Sequence, residues 1–400
     1  MRRPSDLRRE RHQGKRSGRR DVKRSSPLTW PHHFASSHED LQALLVLLSL
    51  PSLTARHLLE MADRLRTASA CLSAIRDRRE GSEGDGKRAR ELDPDQVAAH
   101  LDVIGGRLVP VHHSEYPECL LDLYDPPAGL FVRGRRLDAE AVTVAVVGAR
   151  RCSPAGTEMS TAIGRALGET GACVVSGGAR GIDAAAHRGV LAANGKTVCV
   201  LGSGLDVVYP PRHKNLLSEI AERGTLVTEY GPGIPAEPFR FPARNRLVAA
   251  LARATVVVEG APGSGSMITV NHALELGREV LAVPGSVSAA LAAVPLELIR
   301  EGATPIRGPD DLLEDLGLAS AASMLELNPD AASDEVTSRF SDAERRVWQA
   351  LTSTSAPDQL ALATGMPLSQ VVAALTTLEL NGMVLALGGR YERKRPSPPP

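Results

Sequence analysis

Aromatic side chains are scarce in this chain: Trp, Tyr and Phe make up 3% of its 400 residues. That scarcity argues against a binding surface built mainly on stacked rings. Net charge is missing as well. Lys plus Arg and Asp plus Glu both total 47, so only the distribution of charge can speak of a polyanionic partner. Cys71, Cys119, Cys152, Cys173 and Cys199 form no CxxC pair and no other metal-ligand spacing, which leaves no expected metal site and fits a reducing compartment. The most apolar stretch, 41–50, is about half of what a membrane-spanning helix needs. No apolar segment closely follows the N-terminal arginines, so no export signal is expected and the chain is assigned to the cytoplasm, without a membrane role.

What is present falls into blocks. Residues 1–37 are Arg-rich, polar and aperiodic and read as a disordered basic tail. Over 38–130, Leu41, Leu44, Leu45 and Leu48, then Leu58, Met61 and Leu65, recur at helical spacing and predict a small helical N-terminal domain. Within it the charged, glycine-bearing stretch 76–90 reads as an exposed loop, and 113–127 as turn-rich. Over 131–317 the rhythm becomes strand, glycine turn, helix. Apolar runs at 142–147, 172–175, 197–201, 225–227, 254–258 and 279–283 are mostly short and β-branched-rich, like strands buried on both faces of a parallel sheet.

The fold class is therefore α/β, an extended Rossmann-like and mostly parallel sheet whose ligands bind beyond the carboxyl ends of its strands. An Ala-, Ser- and Asp-rich linker covers 318–338. Three short helices at 341–351, 358–364 and 368–381, with Gly365 and Gly382 at C-cap positions, precede a hairpin that turns at Gly388-Gly389. That is the outline of a C-terminal winged helix over 339–393, followed by a disordered tail over 394–400.

The unusual residues gather at the strand ends. The first strand runs into Gly148-Ala149-Arg150-Arg151-Cys152-Ser153-Pro154 at a helix start. There glycine admits a ligand, the helix end attracts an anion, and arginine adds bidentate donors. The GxGxxG fingerprint and the acid that would hold a ribose are absent, which removes a dinucleotide. The second strand ends in Ser176-Gly177-Gly178-Ala179-Arg180-Gly181-Ile182-Asp183. Arg212 and Lys214 stand at a later helix start, where cations oppose the dipole and so become ligand candidates. Arg244, Asn245 and Arg246 repeat that pattern after Phe241-Pro242, and Gly263-Ser264-Gly265-Ser266 introduces another helix. Loops of this composition grip phosphate without reading sequence, and several on one edge suit a polyphosphate backbone better than a lone nucleotide.

Catalytic candidates are poorer. Asp183 and His187 are spaced as an i,i+4 pair and read as structural. Glu259 and Glu275 are a candidate carboxylate pair for a glycosidic bond, although Glu275 reads as a solvated helix position. No catalytic residue and no cofactor is assigned.

Taken together, the loops resemble the DprA/Smf family of DNA-processing proteins. The residues that carry the resemblance begin with Val147-Gly148-Ala149-Arg150-Arg151, Ser176-Gly177-Gly178-Ala179-Arg180-Gly181-Ile182-Asp183, and Gly202-Ser203-Gly204-Leu205-Asp206 with Tyr209-Pro210. Phe241-Pro242 with Arg244-Asn245-Arg246, Gly263-Ser264-Gly265-Ser266-Met267 and Val283-Pro284-Gly285 complete the series. The resemblance implies a helical N-terminal domain, an extended Rossmann domain and a winged helix. It further implies binding of single-stranded DNA, a homodimer through the Rossmann domain, and a non-enzymatic role in loading RecA during natural transformation and recombination. DNA contact would then fall on Gly148, Arg150, Arg151, Ser153, Ser176, Gly177, Arg180, Arg212, Lys214, Arg244, Asn245, Arg246, Gly263, Ser264, Gly265 and Ser266.

The chain departs from the family at Leu50-Pro51-Ser52-Leu53-Thr54, where relatives often carry a glycine turn, so the N-terminal domain reads as scaffold or partner-facing. Two other readings stand beside this one. A nucleotide-processing enzyme resembling the lysine-decarboxylase-like phosphoribohydrolases shares the glycine-rich turn but not its PGGxGTxxE run. A winged-helix transcription factor is disfavoured because 368–380 contains no Lys or Arg.

Overall fold

The computed structural model describes residues 28–137, 141–318, 340–351, 355–381, 383–387 and 389–393. The expected tail over 1–27, the linker from 319, the last residues 394–400, and Gly382 and Gly388 lie outside them. The chain divides into two compact units, one ending at Gly317 and one beginning at Leu318.

The first unit opens with α1 (His38–Leu47), α2 (Ala55–Leu65), α3 (Ala68–Arg76), α4 (Glu83–Glu91) and α5 (Pro94–Val103). Ser37, Thr54, Thr67, Ser82 and Asp93 cap them, each side chain accepting a first-turn N–H that the helix cannot satisfy itself. The helix α4 corrects the loop expected over 76–90. It lacks an apolar periodicity, and its stability comes from elsewhere: the Ser82 cap, the Asp85 carboxylate that accepts from the Ser52 N–H at 3.1 Å, and buried Ala89. Residues 28–37 also depart from the expected tail. Trp30 and Phe34 are buried with ring centroids 4.7 Å apart, and the Trp30 indole donates to the Pro126 carbonyl, because leaving two large rings in water forfeits their burial energy.

A single sheet then takes in β1 (Gly106–Pro110), β2 (Gly129–Gly134), β3 (Thr143–Val147), β4 (Cys173–Ser176), β5 (Lys196–Val200), β6 (Thr225–Thr228), β7 (Ala254–Val257), β8 (Glu279–Ala282) and β9 (Thr304–Pro305). Their order is β1-β2-β6-β5-β4-β3-β7-β8-β9. From β6 to β9 all neighbours are parallel, whereas β1 and β2 add an antiparallel edge at β6. The sheet thus reaches back across the boundary expected at 130/131. Leu44, Leu58 and Ile75 from the helices share one core with Val132, Val175, Val200 and Val257, so the helical region and the sheet form one unit.

The helices α6 (Pro154–Glu169), α7 (Ile182–Ala192), α8 (Lys214–Arg223), α9 (Arg240–Leu251), α10 (Ser266–Glu275), α11 (Ala293–Arg300) and α12 (Pro309–Asp315) follow in the connections. Covered on both faces, β4, β6 and β7 are buried at every position, which is why their sequences run apolar without alternation. The helices α6 and α7 touch closely: a Cβ on Gly164 would stand 2.3 Å from the Ala186 carbonyl oxygen, so only glycine fits there. The strand order reverses beside β3, between it and β7, and this is the crevice where sheets of this kind take ligands.

The second unit packs helices Asp342–Ala350, Pro357–Thr364 and Leu368–Leu380 around Val347, Leu360, Val371, Leu375 and Leu378, with the hairpin of Val384–Leu387 and Arg390–Arg393 closing it. Gly365 ends the second of these helices in the left-handed conformation, as its position predicts. Helix Leu368–Leu380 leaves Leu368, Val372 and Leu380 exposed.

Candidate nucleic-acid interface

Five loops meet beyond the carboxyl ends of the strands because each is tied to the next. The turn after β4 lies against the turn after β3, where the Ile182 N–H donates to the Ala149 carbonyl at 3.3 Å. Gly181 makes this approach feasible: its φ is +77°, and a Cβ there would stand 2.2 Å from the Ala149 oxygen. His213, in the turn leading into α8, pairs through Nδ1 with the Gly178 carbonyl at 3.0 Å. The Arg150 guanidinium lies 5.7 Å from the centroid of Phe241 on α9, and Phe241 lies 5.0 Å from Tyr209 of the loop after β5. Asn245, also on α9, donates to the Gly265 carbonyl at 3.2 Å and so holds the loop after β7.

This edge separates the sequence candidates into two groups. Arg150, Arg151, Arg180, Arg212 and Lys214 are exposed and form no ion pair among the described residues. Gly263 and Gly265 are exposed, with Gly263 at φ +77°, while Gly148 and Gly177 are half-buried and packed against Glu259 and Arg244. Ser264 is half-buried and its hydroxyl pairs with that of buried Ser266.

The other group is turned inward, against expectation. Ser176 is fully buried and donates to the Val146 carbonyl at 2.7 Å, because the strand has not yet ended at that residue. Ser153 caps α6, yet the anion seat at that helix end is already filled. The Glu259 carboxylate accepts from both the Ser153 N–H, at 2.9 Å, and the Ser153 hydroxyl. A carboxylate at a helix N-terminus is satisfied by the same N–H groups and dipole that would hold a phosphate. Arg244 is 4% exposed and donates to the Gly177 and Val200 carbonyls. Burial works against its charge and lowers its pKa, with Asp183 opposing the shift. Arg246 is 6% exposed and points to the other side of α9, where it is paired with Asp125 at 3.0 Å and with Glu229 at 2.7 Å. Burial disfavours its charge too, but the two carboxylates outweigh that and raise its pKa. Together with Arg240, it lines a separate cleft of about 1960 Å3 between α9 and the N-terminal helices.

The inward residues build the edge from beneath. The Asp183 carboxylate accepts from the Gly177 and Ala179 N–H groups at 3.1 and 3.3 Å, and burial pushes its pKa up. His187 does not pair with Asp183 as its spacing suggested. Its Nδ1 meets the Thr197 hydroxyl at 2.7 Å, and that hydroxyl donates to the Val174 carbonyl, so Nδ1 carries the hydrogen and the ring is a donor. Burial, with Arg244 and His213 adding to it, drives the His187 pKa down to about 3. Glu275 is exposed beside His272, while Glu259 is held by Ser153, so the two do not form a carboxylate pair.

Sequence reasoning passed over Tyr209 and Phe241. Tyr209 is 45% exposed, and the two rings beside Arg150 put an aromatic surface next to the cations. The signal was available as Tyr209-Pro210 and Phe241-Pro242, but only folding makes them neighbours. Among the described residues no His, Cys, Asp and Glu group is arranged to hold a metal, and no single helix is long and apolar enough to cross a membrane.

Fold and edge define a Rossmann-like protein with a cationic strand edge and an appended winged helix. Residues 107–317 match the family model for DNA recombination-mediator protein A, and 328–390 match the DprA winged helix domain. A putative DNA processing protein DprA from Mycobacterium tuberculosis is 38% identical over 320 residues, covering 76% of this chain and 81% of the relative. Protein Smf from Escherichia coli is 36% identical over 294 residues, covering 72% and 77%. The X-ray structure of DprA from Streptococcus pneumoniae superimposes with a TM-score of 0.58 at 34% identity, covering 68% of this chain and 97% of that one. The chain belongs to the DprA/Smf family of DNA-processing proteins.

Proposed function

We propose that the chain binds single-stranded DNA along the loop edge and acts, without catalysing a reaction, as a mediator that helps load RecA in recombination and natural transformation. The observation that carries this reading is the exposed cation set Arg150, Arg151, Arg180, Arg212 and Lys214, without an ion pair among the described residues and gathered at the ends of β3, β4 and β5. These are sequence-blind phosphate donors. Gly263, Ser264 and Gly265 let the backbone of the strand approach, whereas Gly148 and Gly177 make room for Glu259 and Arg244 of the chain itself. Tyr209 and Phe241 offer ring faces that unstacked bases can meet and paired bases cannot, which favours a single strand. Arg244 and Asn245 set the loops and Arg246 fastens the far side of α9, rather than touch DNA. A homodimer through the α/β unit, a cytoplasmic location and a protein-facing winged helix complete the proposal. Exposed Leu368, Val372 and Leu380, on a helix with no Lys or Arg, support that last element.

Fluorescence anisotropy with labelled oligonucleotides tests the binding reading. Single strands should bind more tightly than duplex of equal length, and Arg150→Ala with Lys214→Ala should weaken binding to any sequence. Equal affinity for duplex, or unchanged affinity in that double variant, overturns it. Mediation is tested by whether the protein speeds RecA filament formation on DNA coated with single-strand-binding protein. Release of free base from nucleoside monophosphates would instead establish the phosphoribohydrolase reading.

A further inference from the structure

At the opposite ends of the strands, away from the cationic edge, the sheet encloses a cavity of about 190 Å3. It exists because of the antiparallel extension. Arg135, Arg136 and Leu137, which leave β2, line the cavity together with the first residues of β3 to β6. The segment around Pro117 and Cys119 closes the remaining side.

The walls are apolar in chemistry as well as composition. Val198, Leu251 and Cys119 contribute aliphatic carbon and a thiol that burial keeps protonated, its pKa raised. Three threonines also line the space, but their hydroxyls are already spent on backbone carbonyls. Thr143 donates to Leu251 at 2.6 Å, Thr197 to Val174 at 3.0 Å and Thr225 to Arg135 at 3.1 Å. None of the three hydroxyl protons is left to read a base edge or a sugar. Apolar cavities of roughly this size stay dry and accept a ring-sized guest.

The rim differs. Arg135 and Arg136 are exposed there, and among the described residues neither guanidinium is held in a hydrogen bond or close ion pair, although Arg136 attracts the Glu115 carboxylate from a distance. Lys196 stands at the same rim. The Glu115 carboxylate nearby is held chiefly by Arg107. An apolar pit with guanidinium at its mouth selects a compact apolar body carrying one planar anionic head, which a guanidinium grips bidentately.

We propose that this cavity is a binding site for a small carboxylate with a ring-sized apolar body, seated in the sheet with its carboxylate on Arg135 and Arg136. The site is separate from the loop edge and rests on no part of the DNA reading.

The test titrates the full chain with 4-methylbenzoate and with its uncharged isostere 4-methylbenzamide, followed by saturation-transfer NMR and thermal shift. Saturable binding of the acid is expected, roughly ten-fold tighter than the amide, since charge-assisted pairing is worth at least that factor. Arg135→Gln with Arg136→Gln should abolish the preference for the acid while leaving amide binding intact. Val198→Phe should fill the cavity and remove both, with thermal denaturation reporting whether that variant folds. Arg150→Gln, at the other edge, should leave the binding of acid and amide as in the native chain. Absence of saturable binding, equal affinity for acid and amide, or a preference that survives the rim substitutions overturns the proposal. Loss of binding in Arg150→Gln would overturn it too, by placing the guest on the loop edge.

Discussion

Arg150, Arg151 and Arg180 stand in water at loop tips, whereas Arg240, Arg244 and Arg246, all on α9, are between 1% and 6% exposed. Residue type and local density of charge are alike in the two places; the acceptors differ. Burying a guanidinium costs several kcal/mol of hydration unless acceptors wait for it. On α9 they do: Asp125 and Glu229 for Arg246, the Gly177 and Val200 carbonyls with Asp183 for Arg244, and the Pro51 and Pro235 carbonyls with Glu237 for Arg240. Beyond β3 and β4 no such acceptors stand beside the exposed arginines among the described residues, so their donors stay available to an external anion. Identical side chains therefore split into fasteners and grips according to what the fold has placed beside them.

This contrast can be broken most forcefully at Arg246. Replacing it with alanine leaves Asp125 and nearly buried Glu229 without a counter-charge, and should cost about 3–5 kcal/mol in denaturant unfolding. A cost below about 1 kcal/mol would mean the pair behaves as a surface salt bridge. Arg244→Ala should also destabilise, and Arg244→Lys should not rescue it, because an ammonium cannot span both carbonyls. His187 supplies a pH signature for the same buried layer. Its folded pKa near 3 lies below the unfolded 6.5, so the unfolded chain binds the extra proton as pH falls. Stability should be fully present above pH 6.5 and decline below it, approaching about 1.4 kcal/mol per pH unit from this residue. Stability measured against pH in His187→Gln should lack that limb.

Ser153→Ala separates helix capping from DNA contact. It removes the cap of α6 and one partner of Glu259, at about 1 kcal/mol of stability, yet DNA affinity should hold because the carboxylate already fills that seat. Smallest in stability are the loop-tip substitutions. Arg150→Ala, Arg151→Ala and Arg180→Ala should each shift unfolding by no more than about 0.5 kcal/mol while weakening oligonucleotide binding.

Much of this arrangement was legible beforehand for identifiable reasons. Strands such as Thr143–Val147 and Ala254–Val257 are buried on both faces, so their apolar runs stand out locally. The strands β1 and β2 did not stand out: they are bounded by glycine or proline, β1 pairs only with β2, and β2 joins the sheet through β6, far away in sequence. The helix α4 escaped because caps and distant partners hold it, not a periodic face. At the site, sequence displays charge but not partners, so Arg150 and Arg244 looked equivalent. One cue was present: residues two apart on a helix face different ways, so Arg244 and Arg246 could not both have met one strand of DNA. Nothing in the sequence showed that Glu259 would occupy the end of α6, since that hydrogen bond joins residues 106 apart in the chain.

The central claim, that exposed loop cations and not the arginines of α9 hold a phosphate backbone, is tested most directly by a salt-series titration of a single-stranded oligonucleotide. It compares the native chain with the Arg150→Ala, Arg151→Ala, Lys214→Ala variant. The slope of log affinity against log salt should become shallower by about 0.7 for each phosphate that is no longer neutralised, with folding stability unchanged. An unaltered slope in a fully folded variant would contradict the account.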